Sequence, residues 1–129
     1  MEKRNVCRLL VVDDDRDSAE TLAMLLQIEG KEVKFVTNGE EAIQQTINWK
    51  PDVVLLDIGM PHIDGYTVCR EIRKQVPHSQ PLIFALTGHG TPGHREKSLA
   101  SGFDGHLLKP VDYDQLMRTI DEACETACD

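Results

Sequence analysis

The sequence predicts an α/β fold: a parallel five-stranded sheet with helices on both faces. Three observations carry that expectation. Val53-Val54-Leu55-Leu56 and Leu82-Ile83-Phe84-Ala85-Leu86 are apolar runs without polar interruption, the pattern of strands buried on both faces. Segments with apolar residues at helical spacing alternate with such runs along the chain, which builds β-α units rather than hairpins. One strand candidate, Lys31–Val36, alternates charged and apolar residues, as a sheet edge does. Right-handed crossovers leave few topologies. The order 2-1-3-4-5 puts the polar edge strand outside and gives a flavodoxin-like (βα)5 three-layer sandwich.

Each element has its own signal. The first strand, Val6–Val12, stops at Asp13, Asp14 and Asp15. Ala19, Leu22, Ala23 and Leu26 then mark a first helix from Asp15, an N-cap candidate, to about Glu29, with Gly30 ending it. Asn38 caps the second helix, Glu40 and Glu41 sit where its dipole favours acids, and Ala42, Ile43, Thr46 and Ile47 form its inner stripe. The third strand, Val53–Leu56, delivers Asp57 into a Gly/Pro-rich loop. The third helix starts near Gly65, buries Val68, Cys69 and Ile72, and is closed by Pro77. The fourth strand, Leu82–Leu86, ends on Thr87. A fourth helix, about Pro92–Ala100, has only Leu99 and Ala100 to bury and is expected to be weakly held. A short fifth strand, about Gly105–Leu108, precedes Lys109-Pro110. The fifth helix runs from Asp112 to about Ala127, with Leu116, Ile120, Ala123 and Ala127 inward.

The 129 residues fit a single domain, 1–129, with a core over about 7–127. Acids outnumber bases 22 to 14, for a net charge of −8, so nucleic-acid binding, which needs clustered cations, is not expected. No apolar run approaches the ~20 residues of a membrane helix, and the N-terminus does not read as a signal peptide. A cytoplasmic domain without membrane contact is expected. Cys7, Cys69, Cys124 and Cys128 are scattered, and a core of this size does not need disulfides. Cys124 and Cys128, four apart on one helix, are read as half-buried thiols rather than a metal site, since no His stands nearby.

Five polar residues fall at strand carboxyl ends: Asp13, Asp14, Asp57, Thr87 and Lys109. In an open α/β sheet that edge is where ligands bind. Clustered carboxylates repel unless a cation sits between them, and hard oxygen ligands suit a magnesium-type ion. Lys109 and Thr87 suit phosphoryl oxygens. Asp57 at the centre is placed to act as a nucleophile and form an aspartyl-phosphate. Taken singly, each residue also has a bland reading, as a helix cap, a turn residue or an exposed cation. Their convergence on one edge favours chemistry.

At these positions the chain resembles the receiver domain of two-component response regulators, the family of the chemotaxis response regulator. The resemblance runs from about Leu9 to the last helix through VVDDD, VVLLDIGMPHIDGYTV, ALTGHG and HLLKP, in order. It implies Asp57 as phospho-acceptor, and Mg2+ (or Mn2+) held by Asp13, Asp14, Asp57 and the Gly59 carbonyl. It also implies Lys109 against the phosphoryl group, Thr87 as the switch hydroxyl, and a cis Lys109-Pro110 bond. The implied donor is a histidine kinase or histidine phosphotransfer protein, and the output goes to a downstream protein through the fourth helix, fifth strand and fifth helix. Such a domain turns over only its own phosphoryl group and is not a turnover enzyme.

Two positions depart from the family pattern. His106 stands where strand five usually carries an aromatic switch residue, and it is polar and titratable near neutral pH. Gly59 and His89, two after Asp57 and two after Thr87, flank the expected path of the attacking water; a bare Gly59 leaves it open and His89 is placed to orient it. DIGMP with HIDGY resembles receivers of hybrid sensor kinases, so a single-domain regulator and a receiver from a longer kinase both stay open. Three other readings compete. A haloacid-dehalogenase-type phosphatase needs an acid where Gly59 stands. A phosphorylation-independent binding module does not need all five polar residues. A flavin carrier on this fold needs a Ser/Thr-rich loop where the acids lie.

Overall fold

The apolar runs form the centre of one parallel sheet. In the computed structural model, which describes residues 6–76, 81–88 and 100–128, the strands are β1 (Arg8–Val12), β2 (Glu32–Val36), β3 (Val53–Asp57), β4 (Leu82–Thr87) and β5 (Gly105–Leu108). All pair parallel, in the order β2-β1-β3-β4-β5. Residues 9–12 and 53–56 are 0% exposed, because β1 and β3 are inner strands covered on both faces.

Side chains alternate along these strands and so feed two cores. Leu9, Val11, Val53 and Leu55 pack with Ala19, Ala23 and Leu26 of α1 (Arg16–Ile28) and with Leu116 and Ile120 of the C-terminal helix (Tyr113–Cys128). Leu10, Val12, Val54 and Leu56 point the other way, towards Ala42 of α2 (Gly39–Trp49) and Val68, Cys69 and Ile72 of α3 (Gly65–Gln75). Each buried Val, Leu or Ile side chain among these contributes roughly 1.5–3 kcal/mol.

The helix starts follow their caps. Asp15 accepts from the Asp17 N–H and from the Ser18 hydroxyl. Asn38 accepts from Glu41 N–H, Asp64 from Thr67 N–H, and Asp112 from Gln115 N–H. Asp15 and Asp112 are therefore caps rather than the first residues of their helices. A Cβ on Gly65 would lie 2.7 Å from the Asp57 carbonyl oxygen, so only glycine lets α3 begin against the end of β3.

Three expectations change in detail. β1 starts at Arg8, with Val6 41% exposed. β3 and β4 each run one residue further, so Asp57 and Thr87 are held within the sheet. The reading of Cys124 as a half-buried free thiol is wrong: Cys124 is buried and bonded to Cys7, with Cα atoms 5.7 Å apart across 117 residues of sequence. The spacing to Cys128 suggested a local pair, whereas packing of the C-terminal helix across β1 brings the distant Cys7 into reach. Cys69 is free and buried, and burial pushes its thiol up to about 11. The expected fourth helix, up to residue 99, lies outside the described residues, as do Pro77 and the side chain of Ala127.

Candidate functional site

The sheet order puts the carboxyl ends of β1 and β3 side by side, at the point where the strand order reverses. Asp13 follows β1 and Asp57 ends β3. Asp13 is 4% exposed; its Oδ1 accepts from the Asp15 N–H at 3.0 Å, which leaves Oδ2 facing inward. Asp57 Oδ1 accepts from the Gly59 N–H at 3.1 Å. Lys109, just past β5, donates from Nζ to Asp13 Oδ2 at 3.2 Å and lies 3.4 Å from Asp57 Oδ2. Its backbone N–H donates to the Thr87 carbonyl at 2.7 Å, and the Lys109-Pro110 bond is cis. One ammonium thus bridges carboxylates from two strands.

Asp14 is exposed, at the mouth of the pocket. One carboxylate oxygen each from Asp13, Asp14 and Asp57 lies within 4.8 Å of the other two, a spacing that fits a small hard cation bound by oxygen. Thr87 ends β4, only 4% exposed, and its Oγ1 has no hydrogen-bond partner among the described residues. A buried hydroxyl left unpaired costs stability unless something else pairs with it. The donor set, three carboxylates plus this idle hydroxyl, therefore fits a divalent cation with an oxyanion beside it.

The electrostatics agree. Burial pushes the Asp57 carboxyl up; Lys109 and the Gly59 N–H oppose this, and Asp13 adds to it. Burial alone would lower the Lys109 ammonium, but Asp57 and Asp13 outweigh it and hold it above its ordinary value. The ion pair favours the charged form of Lys109 but does not overcome burial at Asp57. Lys109 serves two anions, whereas Asp57 shares one cation with Asp13 in a deeper position.

All five polar residues of the sequence reading meet at this edge. His106 lies in β5, half-buried and in register with Ala85. His89 lies outside the described residues. Gly59 is exposed, and a Cβ there would sit 3.9 Å from Asp57 Oδ1. The sequence reading missed a groove of about 410 Å³ beside Asp13 and Lys109, lined in part by Leu22, Leu25, Pro110 and Val111. Its signal was present in α1, which carries Met24, Leu25 and Ile28 beyond its inner stripe; they are 56%, 39% and 77% exposed.

Residues 9–121 match the model of the response regulator receiver domain. The chain belongs to this family. Receiver domains are signalling domains of two-component systems, in which response regulators interact with histidine kinases and downstream effectors. The chain is 34% identical over 117 residues to an uncharacterized 14.6 kDa protein of Leptolyngbya boryana, covering 90% of this chain and 88% of that one. It is 37% identical over 110 residues to the response regulator MprA of Mycobacterium sp. (strain KMS), covering 85% of this chain and 47% of MprA. The chain thus spans about half the length of several of the curated relatives it matches. Among solved structures, a putative response regulator of Chloroflexus aurantiacus superposes with a TM-score of 0.86 at 32% identity, covering 94% of this chain and 99% of that one. The chemotaxis protein CheY4 of Vibrio cholerae superposes with a TM-score of 0.86 at 27% identity, covering 92% and 98%.

Proposed function

We propose that this receiver domain accepts a phosphoryl group on Asp57 from a phosphohistidine donor and uses it to change the surface around β5 and the C-terminal helix. One observation carries the reading: Lys109 Nζ stands between Asp13 and Asp57 at 3.2 and 3.4 Å, with the unpartnered Thr87 hydroxyl on the neighbouring strand. Asp13, Asp14, Asp57 and the Gly59 carbonyl would hold Mg2+ (or Mn2+). When bound, that ion supplies Lewis-acid neutralisation of charge on the phosphoryl oxygens.

The residues of this chain do the rest. An Asp57 carboxylate oxygen attacks phosphorus, and the phosphorus–nitrogen bond to the donor imidazole breaks as the new phosphorus–oxygen bond forms. The imidazole nitrogen leaves with the bonding pair. Lys109 turns from Asp57 Oδ2 towards a phosphoryl oxygen, trading one anion for another. The Thr87 hydroxyl then gains the acceptor it lacks. His106 would follow the movement of Thr87, as the family's aromatic residue does, and the altered face would meet a downstream protein. The groove beside α1 and its exposed apolar residues suit the docking of a phosphodonor protein, a histidine kinase or histidine phosphotransfer protein. The domain turns over only its own phosphoryl group, and a cytoplasmic location fits such a donor. Gly59 leaves the path of hydrolytic water open, and a His89→Ala variant that loses phosphate at the parent's rate rules out a role for His89.

Incubation with acetyl phosphate and Mg2+, followed by intact mass measurement, tests the reading. The expected result is one phosphoryl group, removed by hydroxylamine, on the parent and none on Asp57→Asn. No adduct from acetyl phosphate or from a phosphorylated histidine phosphotransfer protein overturns it and favours a phosphorylation-independent binding module. Continuous phosphate release from many phosphoesters favours a phosphatase.

A further inference from the structure

The disulfide lies at the end of the molecule away from Asp57, yet it grips the helix that leaves the site. The C-terminal helix starts just after Lys109-Pro110, so its first turn is tied to the pocket through the Lys109 contacts with Asp13 and Asp57. Among the described residues, three cross-links hold its flank to the β1–α1–β2 region. The Tyr113 hydroxyl donates to Glu29, and Lys31 Nζ pairs with Asp121 at 3.0 Å. Both are exposed polar contacts of the kind that contributes little. The third is the Cys7–Cys124 bond, and it is covalent.

The helix has an apolar seat besides that bond. Leu116, Ile120 and Ala123 already seat the helix on Leu9, Val11 and Val53. Reduced Cys7 and Cys124, 6% and 8% exposed, would sit in this core as small apolar side chains. A disulfide added to such a seat, in a domain proposed above to act in the reducing cytoplasm, fits the transient or sensing kind. Access exists at Cys7, which stands just before β1 next to the exposed Val6 and keeps its carbonyl paired to the Glu32 N–H at 3.0 Å. Opening this strand end exposes the sulfur.

We propose that Cys7 and Cys124 form a reversible thiol–disulfide clamp that sets how freely the C-terminal helix moves, so that the domain's output answers to redox state as well as to the phosphoryl group. Coupling to the phosphoryl group rests on the phosphoryl transfer proposed above; the clamp rests on the position of the disulfide and on the cytoplasmic location proposed there. The co-reactant is a dithiol. One of its thiolates attacks a sulfur of the Cys7–Cys124 bond, that bond breaks, and the released cysteine thiolate takes a proton. The second dithiol sulfur then displaces the first cysteine and closes its own disulfide. Two electrons and two protons pass to the protein, and an oxidised dithiol returns the clamp by the reverse path.

Hydrogen exchange of the folded full chain, oxidised and after treatment with dithiothreitol, tests the clamp without any phosphodonor, with peptide mapping after iodoacetamide to follow the thiols. The oxidised chain is expected to show no label at Cys7 or Cys124. The reduced chain should exchange the amides of residues 113–128 about tenfold faster, with residues 53–57 unchanged. Cys7→Ser and Cys124→Ala should each match the reduced chain under both conditions. Equal exchange in the two states, a bond that resists dithiothreitol until the protein unfolds, or mapping that pairs either cysteine with Cys128 overturns the clamp. With acetyl phosphate and Mg2+ added, phosphorylation should alter exchange in residues 113–128 more in the reduced than in the oxidised chain. Absence of an adduct in both states overturns the coupling to Asp57, while the exchange difference still decides the clamp.

Discussion

The two ends of the sheet use charge in opposite ways. At the amino ends of the strands, charged groups close backbone. Arg73 of α3 donates to the Gly102 carbonyl from Nε at 3.0 Å and from Nη2 at 2.7 Å, to the Pro81 carbonyl at 2.6 Å, and to Asp104 Oδ2 at 2.8 Å. That carboxylate also accepts from the Ile83 N–H. Asp52 accepts from the Arg8 N–H and joins the starts of β1 and β3. At the carboxyl ends, three carboxylates crowd together with one ammonium paired to two of them, and a buried hydroxyl has no partner among the described residues. The first end is a network that ties strands together, with Arg8 Nε left to a 3.5 Å ion pair with Glu32 and no hydrogen bond among the described residues. The second keeps polar capacity in reserve for a ligand, at a cost in stability. Like charges crowded around a buried, unpaired hydroxyl break local rules most at the carboxyl edge, and that marks where function lies.

Four measurements break or sharpen that contrast. The largest stability effect belongs to the amino end. Arg73→Ala removes the side-chain donor of two carbonyls and the ion pair of Asp104 and is expected to cost about 2–3 kcal/mol in urea unfolding. Lys109→Ala, whose ammonium is about a third exposed, should cost less than Arg73→Ala while abolishing accumulation of the phosphoryl adduct. Equal destabilisation by the two variants would erase the distinction between the ends.

Mg2+ should come next. At a hundredfold excess over its Kd, it should stabilise the parent by about 2.7 kcal/mol, read as a rise in Tm. Asp13→Asn should lose most of that rise, and Arg73→Ala should keep it. A smaller effect concerns pH. The Asp57 carboxyl is held above its ordinary 3.8 in the folded protein, so the native state binds more protons than the unfolded chain just above that value. Stability then falls as pH rises from 3.8 through the raised native value. Asp57→Asn removes this penalty, and its metal-free Tm at pH 7 should exceed the parent's. A lower Tm would mean that the Lys109 ion pair outweighs burial. For Lys109, held above 10.5, the pair's contribution is full below pH 10.5 and is lost as pH rises through the native value.

The smallest effect lies in the core. Cys69, pushed up to about 11 from 9.0, should stay unlabelled by iodoacetamide at pH 8 in the folded chain. Between pH 9 and 11 the unfolded chain loses a proton that the folded one keeps, so stability should decline there. Rapid labelling of Cys69 at pH 8 would show that the α3 side of the core opens far more readily than its burial implies.

Much of the molecule was legible from sequence because local chemistry and periodicity carry it. Uninterrupted runs such as Val53–Leu56 can only be buried on both faces, the charged alternation of Glu32–Val36 can only be an edge, and Asp15, Asn38 and Asp112 announce helix starts. Once the strand order followed, the gathering of Asp13, Asp14, Asp57, Thr87 and Lys109 at one edge followed too, since every strand of a parallel sheet ends on the same side. Tertiary structure alone decided which polar groups found partners. Lys109 bridges Asp13 and Asp57, Arg73 reaches carbonyls beyond its own helix, Thr87 is left idle, and Cys7 meets Cys124 across 117 residues. Those pairings depend on packing angles and distances between separate elements, which no local pattern encodes.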